Sequence, residues 1–186
     1  MNFSSALPHG RAFEKEIFGI TEGYGENLGF FRPPDKRDFF ESLQDVITIN
    51  WAMFAEAEEK GLAHCHNPSN PRMGRTHDLW ASVKNYLPPC RRRQCIPLDF
   101  HVAIGRNSLD YHHGVDAFFW WQGAYVTIDV SLRGKDLLGT LKADILFTPK
   151  DLRPLRLQDF GKAVAKILVE RSLKQQNTFE NCFISG

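Results

Sequence analysis

An α/β (or α+β) fold, a mixed sheet flanked by helices, follows from how the hydrophobic period changes along the chain. Between Asp35 and Lys60 apolar side chains recur at three- and four-residue steps; from Ile96 onward they alternate in four short runs; from Gln158 to Lys174 the helical step returns. Helix, helix, three strands, a short segment, a fourth strand and a last helix is the order of one sheet with helices packed on it.

A length of 186 residues, 42% of them hydrophobic, suffices for a single core of ordinary size, and fifteen Phe and four Trp imply a core built around bulky rings. The net charge of +1 selects no polyanionic partner. Its distribution says more: residues 1–89 hold 9 basic and 12 acidic side chains, residues 90–186 hold 14 and 10. A phosphate-binding face is therefore expected from the second half. No apolar run of about 18 residues exists. Residues 1–18 are interrupted by Pro8, His9, Gly10 and Arg11 and lack a signal-peptide core, so a cytoplasmic location without membrane contact is expected, with the four Cys as reduced thiols.

Residues 1–35, rich in Gly and Pro with scattered Phe, read as an irregular arm pinned by its rings, ahead of one domain over 36–186. The run from Gly23 to Gly29 has neither the spacing nor the preceding strand of a phosphate loop. In the first helix Phe39, Leu43, Val46, Ile47, Phe54 and Ala57 form a stripe interrupted only by Asn50, and Gly61 is placed to end it. Thr76 is placed to cap a second helix through Tyr86, which Pro88-Pro89 stops. Strands are expected at 96–104, 115–121, 125–132 and 143–148. The final helix, 158–174, puts Phe160, Val164, Ile167, Leu168 and Arg171 on one side.

The chemistry concentrates in the middle strands. Gln122-Gly123 is a two-residue turn between β-prone runs, so paired residue numbers sum to 245 and Asp116 faces Asp129. Opposed carboxylates at roughly 5 Å destabilise a hairpin unless compensated, and a divalent cation is the simplest compensation. Otherwise one Asp lies in a bulge or at an exposed edge. Asp110, His112 and His113 precede this hairpin, Ser131 shares the face of Asp129, and Lys135 and Lys142 follow. Two carboxylates with a lysine nearby are the minimal set for metal-assisted phosphodiester hydrolysis.

Gly114-Val115-Asp116 followed by Ile128-Asp129-Val130-Ser131 resembles the PD-(D/E)xK nuclease superfamily, the restriction-endonuclease-like fold, over residues 96–170, with the helix at 36–60 in the place of the first family helix. The resemblance implies a restriction-endonuclease-like core and a metal-dependent nuclease acting on DNA, less readily on RNA. Asp116 and Asp129 would hold Mg²⁺ or Mn²⁺, and Glu41 or another acid of the first helix would complete the site. Ser131 stands where the family has lysine. Members that relocate the lysine make Lys142 the first candidate and Lys135 the second. Loss of a working lysine would leave a catalytically inactive nucleic-acid-binding or assembly protein with the same fold.

Three arginines, Arg91, Arg92 and Arg93, lie between Cys90 and Cys95, as a phosphate-contacting loop or as a solvated basic turn. With His64-Cys65-His66 these cysteines also make a loose zinc-ligand set. Of Trp120 and Trp121, one ring should enter the core and the other lie near the surface. His77 and His101 read as structural.

Overall fold

The computed structural model describes residues 17–18, 35–61, 67–72, 74–89, 96–103, 108–131 and 142–184, with side chains to residue 177. Arg91 to Arg93, Lys135, the two Cys–His clusters and the run 23–29 lie outside the described residues.

Helix α1 (Phe39–Glu59) begins where the Asp38 side chain accepts the backbone N–H of Glu41 at 3.0 Å. That cap sets the start four residues later than the periodicity suggests, because it satisfies a backbone donor the first turn leaves open. At the other end Gly61, at φ +71, takes the left-handed conformation that stops the helix. Helix α2 (Gly74–Lys84) starts two residues before Thr76. Thr76 therefore lies inside the first turn, where its hydroxyl donates to the Ile17 carbonyl at 2.9 Å and fastens the N-terminal segment.

Strand β1 (Asp99–Val102) is shorter than its apolar run, since Pro97 has no N–H to donate to a ladder. A short helix that periodicity does not announce, α3 (Ser108–His113), follows. It ends at Gly114, at φ +61, the glycine that terminates a helix. Strands β2 (Ala117–Trp121) and β3 (Ala124–Val130) form the hairpin, with Ala117 opposite Ile128 and Trp121 opposite Ala124. The register sums to 245. Gln122 and Gly123, at φ 50 and 83, make the tight turn, with both central residues at positive φ as a primed turn requires. Strand β4 (Ile145–Phe147) pairs parallel with β3, Asp129 beside Leu146. A short 3-10 turn, Pro149–Leu152, leads into helix α4 (Pro154–Ile184), whose first residue has the fixed φ a first turn accepts.

The sheet order is β1-β2-β3-β4. Alternate residues of each strand feed two apolar layers. On one side Phe119, Val126, Ile128 and Phe147 bury against Leu79 and Val83 of α2 and Phe160, Val164 and Leu168 of α4. On the other, Phe118 and Val115 meet Leu43 and Val46 of α1 and Leu109 of α3. Asn50, the break in the α1 stripe, has a reason. Its side-chain amide donates to Val102 O at 2.9 Å and its oxygen accepts Val102 N at 3.0 Å. It supplies the pairing that edge strand β1 would otherwise offer to another chain. Pro68 O accepts the Phe100 N–H at 2.9 Å along the same edge.

Candidate functional site

Asp129 lies within β3 and is 6% exposed, on the α1 side of the sheet because Ile128 and Val130 face the other way. Asp116 precedes β2, and its backbone departs from the regular ladder. Ala117 pairs with Ile128, and the Asp116 N–H also donates to Ile128 O at 2.9 Å. Two successive residues thus share one partner, which is a bulge, and a bulge re-aims the side chain it carries. The Asp116 carboxylate then accepts the Val130 N–H at 2.5 Å. Its residue therefore spans Asp129, with its amide on the carbonyl before it and its carboxylate on the amide after it. The pairing that sequence reasoning expects directly across the hairpin is replaced by this clasp around the Asp129 position.

Lys142 stands just before β4. Its Nζ donates to His112 O at 3.2 Å, at the C-terminal end of α3, where helix carbonyls favour a cation. Its stem crosses Gly114; a β-carbon on that glycine would lie 3.3 Å from Lys142 Cδ. A residue two positions before Asp116 is therefore small so that Lys142 can pass. Ser131 donates its backbone N–H to Phe147 O at 2.9 Å, joining the end of β3 to β4. His113 Nε2 is 3.1 Å from Arg37 O and its ring stands edge-on to Phe39. His112 meets the Tyr111 ring edge-on. Glu41 is exposed in the first turn of α1. Among the described residues no three His, Cys, Asp or Glu side chains gather closely enough to hold a metal by themselves.

Of the two tryptophans, Trp121 is buried in the α2–α4 layer, whereas Trp120 is half-buried and stacks on Tyr125, ring centroids 6.0 Å apart and planes 14° from parallel. His77 accepts a local role, Nδ1 2.8 Å from Pro71 O. His101 is 1% exposed beside Phe118, and its Nδ1 has no hydrogen-bond partner among the described residues. Burial pushes its pKa down to about 4.

Sequence reasoning passed over a second polar group on the same face. Asp144 Oδ2 accepts Thr127 N at 2.9 Å, Thr127 Oγ1 at 3.0 Å and Arg171 Nη1 at 2.8 Å, and Oδ1 accepts Arg171 Nη2 at 2.6 Å. Arg171 Nη1 also donates to Tyr125 O at 2.6 Å. Burial by itself would raise the Asp144 carboxyl. The hydrogen bonds from Arg171 and Thr127, with the Arg171 charge, outweigh it and hold the group below its ordinary value. The same Asp144 hydrogen bonds and charge raise Arg171 further. The signal was legible: Arg171 falls on the apolar stripe of the last helix, and a cation there requires an acid partner.

No protein-family model matches the chain, and no curated protein or solved structure is similar to it. Among the described residues no helix is long and apolar enough to cross a membrane.

Proposed function

We propose that the chain is a metal-dependent nuclease-like domain that hydrolyses phosphodiester bonds of DNA, and less readily of RNA. The observation that carries this reading is the Asp116 bulge, which brings the carboxylate of one strand around the Asp129 position on the next. Like charges brought together in this way call for a cation. Mg²⁺ is commonly held by one or two protein carboxylates, with water and substrate phosphate completing the shell, so Asp116 and Asp129 suit it or Mn²⁺ without a third protein ligand. When bound, such an ion polarises the phosphate and lowers the pKa of a water. The Val130 N–H fixes the Asp116 carboxylate. Lys142 brings a positive charge to the same end of the hairpin and exchanges the His112 carbonyl for the phosphate. Lys135 is the second candidate for that role. Arg91, Arg92 and Arg93 would contact phosphates away from the cut.

Plasmid cleavage with Mg²⁺ and Mn²⁺ tests the reading. The wild-type chain should cut, and Asp116→Ala and Asp129→Ala should abolish cutting. Lys142→Ala should do the same while changing folding stability by no more than about 0.5 kcal/mol, the scale for an exposed side chain. If Lys135→Ala is the inactive variant instead, the lysine assignment moves and the nuclease reading stands. Wild-type protein that cuts neither DNA nor RNA with either ion would end it.

One alternative has an observation of its own. Ser131 occupies the lysine slot and the Lys142 ammonium rests on a backbone carbonyl. That combination favours a non-catalytic nucleic-acid-binding or assembly protein with the same fold, and it is the reading that replaces the first if cleavage is absent.

A further inference from the structure

Beside the aspartate pair, on the same side of the sheet, a groove of about 400 Å³ runs between the open face of β3 and helix α4. Tyr125 and Phe39 form its apolar part, with ring centroids 5.9 Å apart. Among the residues described there, three cations, Lys142, Arg171 and Lys174, stand against one carboxylate, Asp144. Asp144 and Arg171 largely compensate each other through their paired bonds, so they make a neutral wall and leave the positive balance to the lysines. Gln175 closes the far end beside the turn, its side-chain nitrogen 3.3 Å from Gly123 O. Lys142 belongs to both places: it lines the groove and its stem crosses Gly114, two residues before Asp116.

We infer that this groove binds one unstacked nucleotide of a single-stranded nucleic acid, next to the phosphodiester presented to Asp116 and Asp129. The volume accommodates a nucleoside and not a stacked pair. The half-buried rings offer the flat apolar surface on which a base of any identity stacks, and the lysines lie where its phosphates would emerge. A base inside a duplex is already stacked and cannot reach Tyr125, so the groove selects single strands, overhangs or frayed ends. The inference deepens the nuclease reading and rests on it for taking the anion as nucleic acid. Both the rings and the cations contribute, so binding should be tolerant of sequence and sensitive to salt.

Fluorescence anisotropy on the full chain in EDTA, where no cleavage occurs, separates this inference from catalysis. The probes are a short fluorescein-labelled oligothymidylate and the same label on a blunt duplex. Wild-type protein should bind the single strand in preference. Tyr125→Ala should weaken binding by about tenfold or more, the scale of losing one base–aromatic stack, and Tyr125→Phe, which keeps the ring, should restore it. Lys174→Glu, an exposed change, should weaken binding and reduce its salt dependence. Asp129→Asn should bind as wild type, since it leaves the groove untouched. Equal binding by Tyr125→Ala, Tyr125→Phe and wild type, an unaltered Lys174→Glu, or preference for the duplex each overturns the groove, even if the chain cleaves DNA. Loss of binding in these variants by a chain that never cleaves upholds the groove and ends the nuclease reading alone.

Discussion

At the scale of the residue, His101 and Asp116 are two ways a polar side chain can sit in a sheet. Asp116 is tied down by a backbone amide, whereas His101 is buried against Phe118 with Nδ1 lacking a partner among the described residues. A buried imidazole is stable only when neutral, and its pKa falls from the ordinary 6.5 to about 4. The unfolded chain therefore binds more protons between those values, and folding stability drops as pH falls from about 6.5 towards 4. The cost is on the order of 3 kcal/mol by the acid end of that window. Urea midpoints measured at neutral pH and near pH 4.5 should separate clearly for wild type. His101→Phe, which can pack beside Phe118 and does not titrate, should lose much of that separation. Identical pH dependence in the two proteins would show that another group carries it.

At the scale of the element, the contact between α2 and α4 depends on a missing side chain. Gly161 lies on α4 where an added β-carbon would be 2.3 Å from Ser82 O of α2, and backbone cannot yield as a flexible side chain would. By helix propensity alone, Gly161→Ala should stabilise α4 by up to about 1 kcal/mol. The close approach decides otherwise. The helices must separate, loosening Leu79, Val83, Val164 and Leu168 between them, and overpacking of this kind costs about 1–3 kcal/mol. A thermal melt that shows Gly161→Ala more stable than wild type would contradict the contact. The same reasoning explains why Asn50 interrupts the α1 stripe, since an apolar residue there would leave the N–H and C=O of Val102 unpaired.

At the scale of the whole molecule, two helical layers close on one four-stranded sheet, and Asp144 is the point where strand, strand entrance and C-terminal helix are tied together. Asp144→Ala would leave Thr127 and Arg171 without their common acceptor. Both partners of the ion pair are partly solvated, 24% and 38% exposed, so the loss should be held to about 1–2 kcal/mol and shrink in high salt. Its pH dependence has a definite sign. The folded carboxyl titrates below its ordinary value, so the stabilisation is complete above about pH 4 and disappears as pH falls through the folded pKa. The difference between wild type and Asp144→Asn should therefore vanish in strong acid; a difference that persists there would assign the effect to packing and not to charge.

The sequence alone determined what depends on neighbours along the chain. The changes of period marked both long helices and the strands, and Gln122-Gly123 fixed the register, because a two-residue turn with both residues at positive φ permits only one pairing. Gly61 marked a helix end for the same local reason. Only the tertiary structure decided what depends on contacts remote in sequence. Asp116 leaves the ladder because its carboxylate finds Val130, fourteen residues away, and no local pattern encodes a bulge that a distant amide rewards. Helix α3 is too short for a period to reveal and is settled by packing of Leu109 under α1. Arg171 announced that it needed an acid. Which acid, Asp144 from the strand entrance 27 residues earlier, follows from β4 lying parallel beside β3 and α4 folding back across that face, a matter of topology that residue types do not contain.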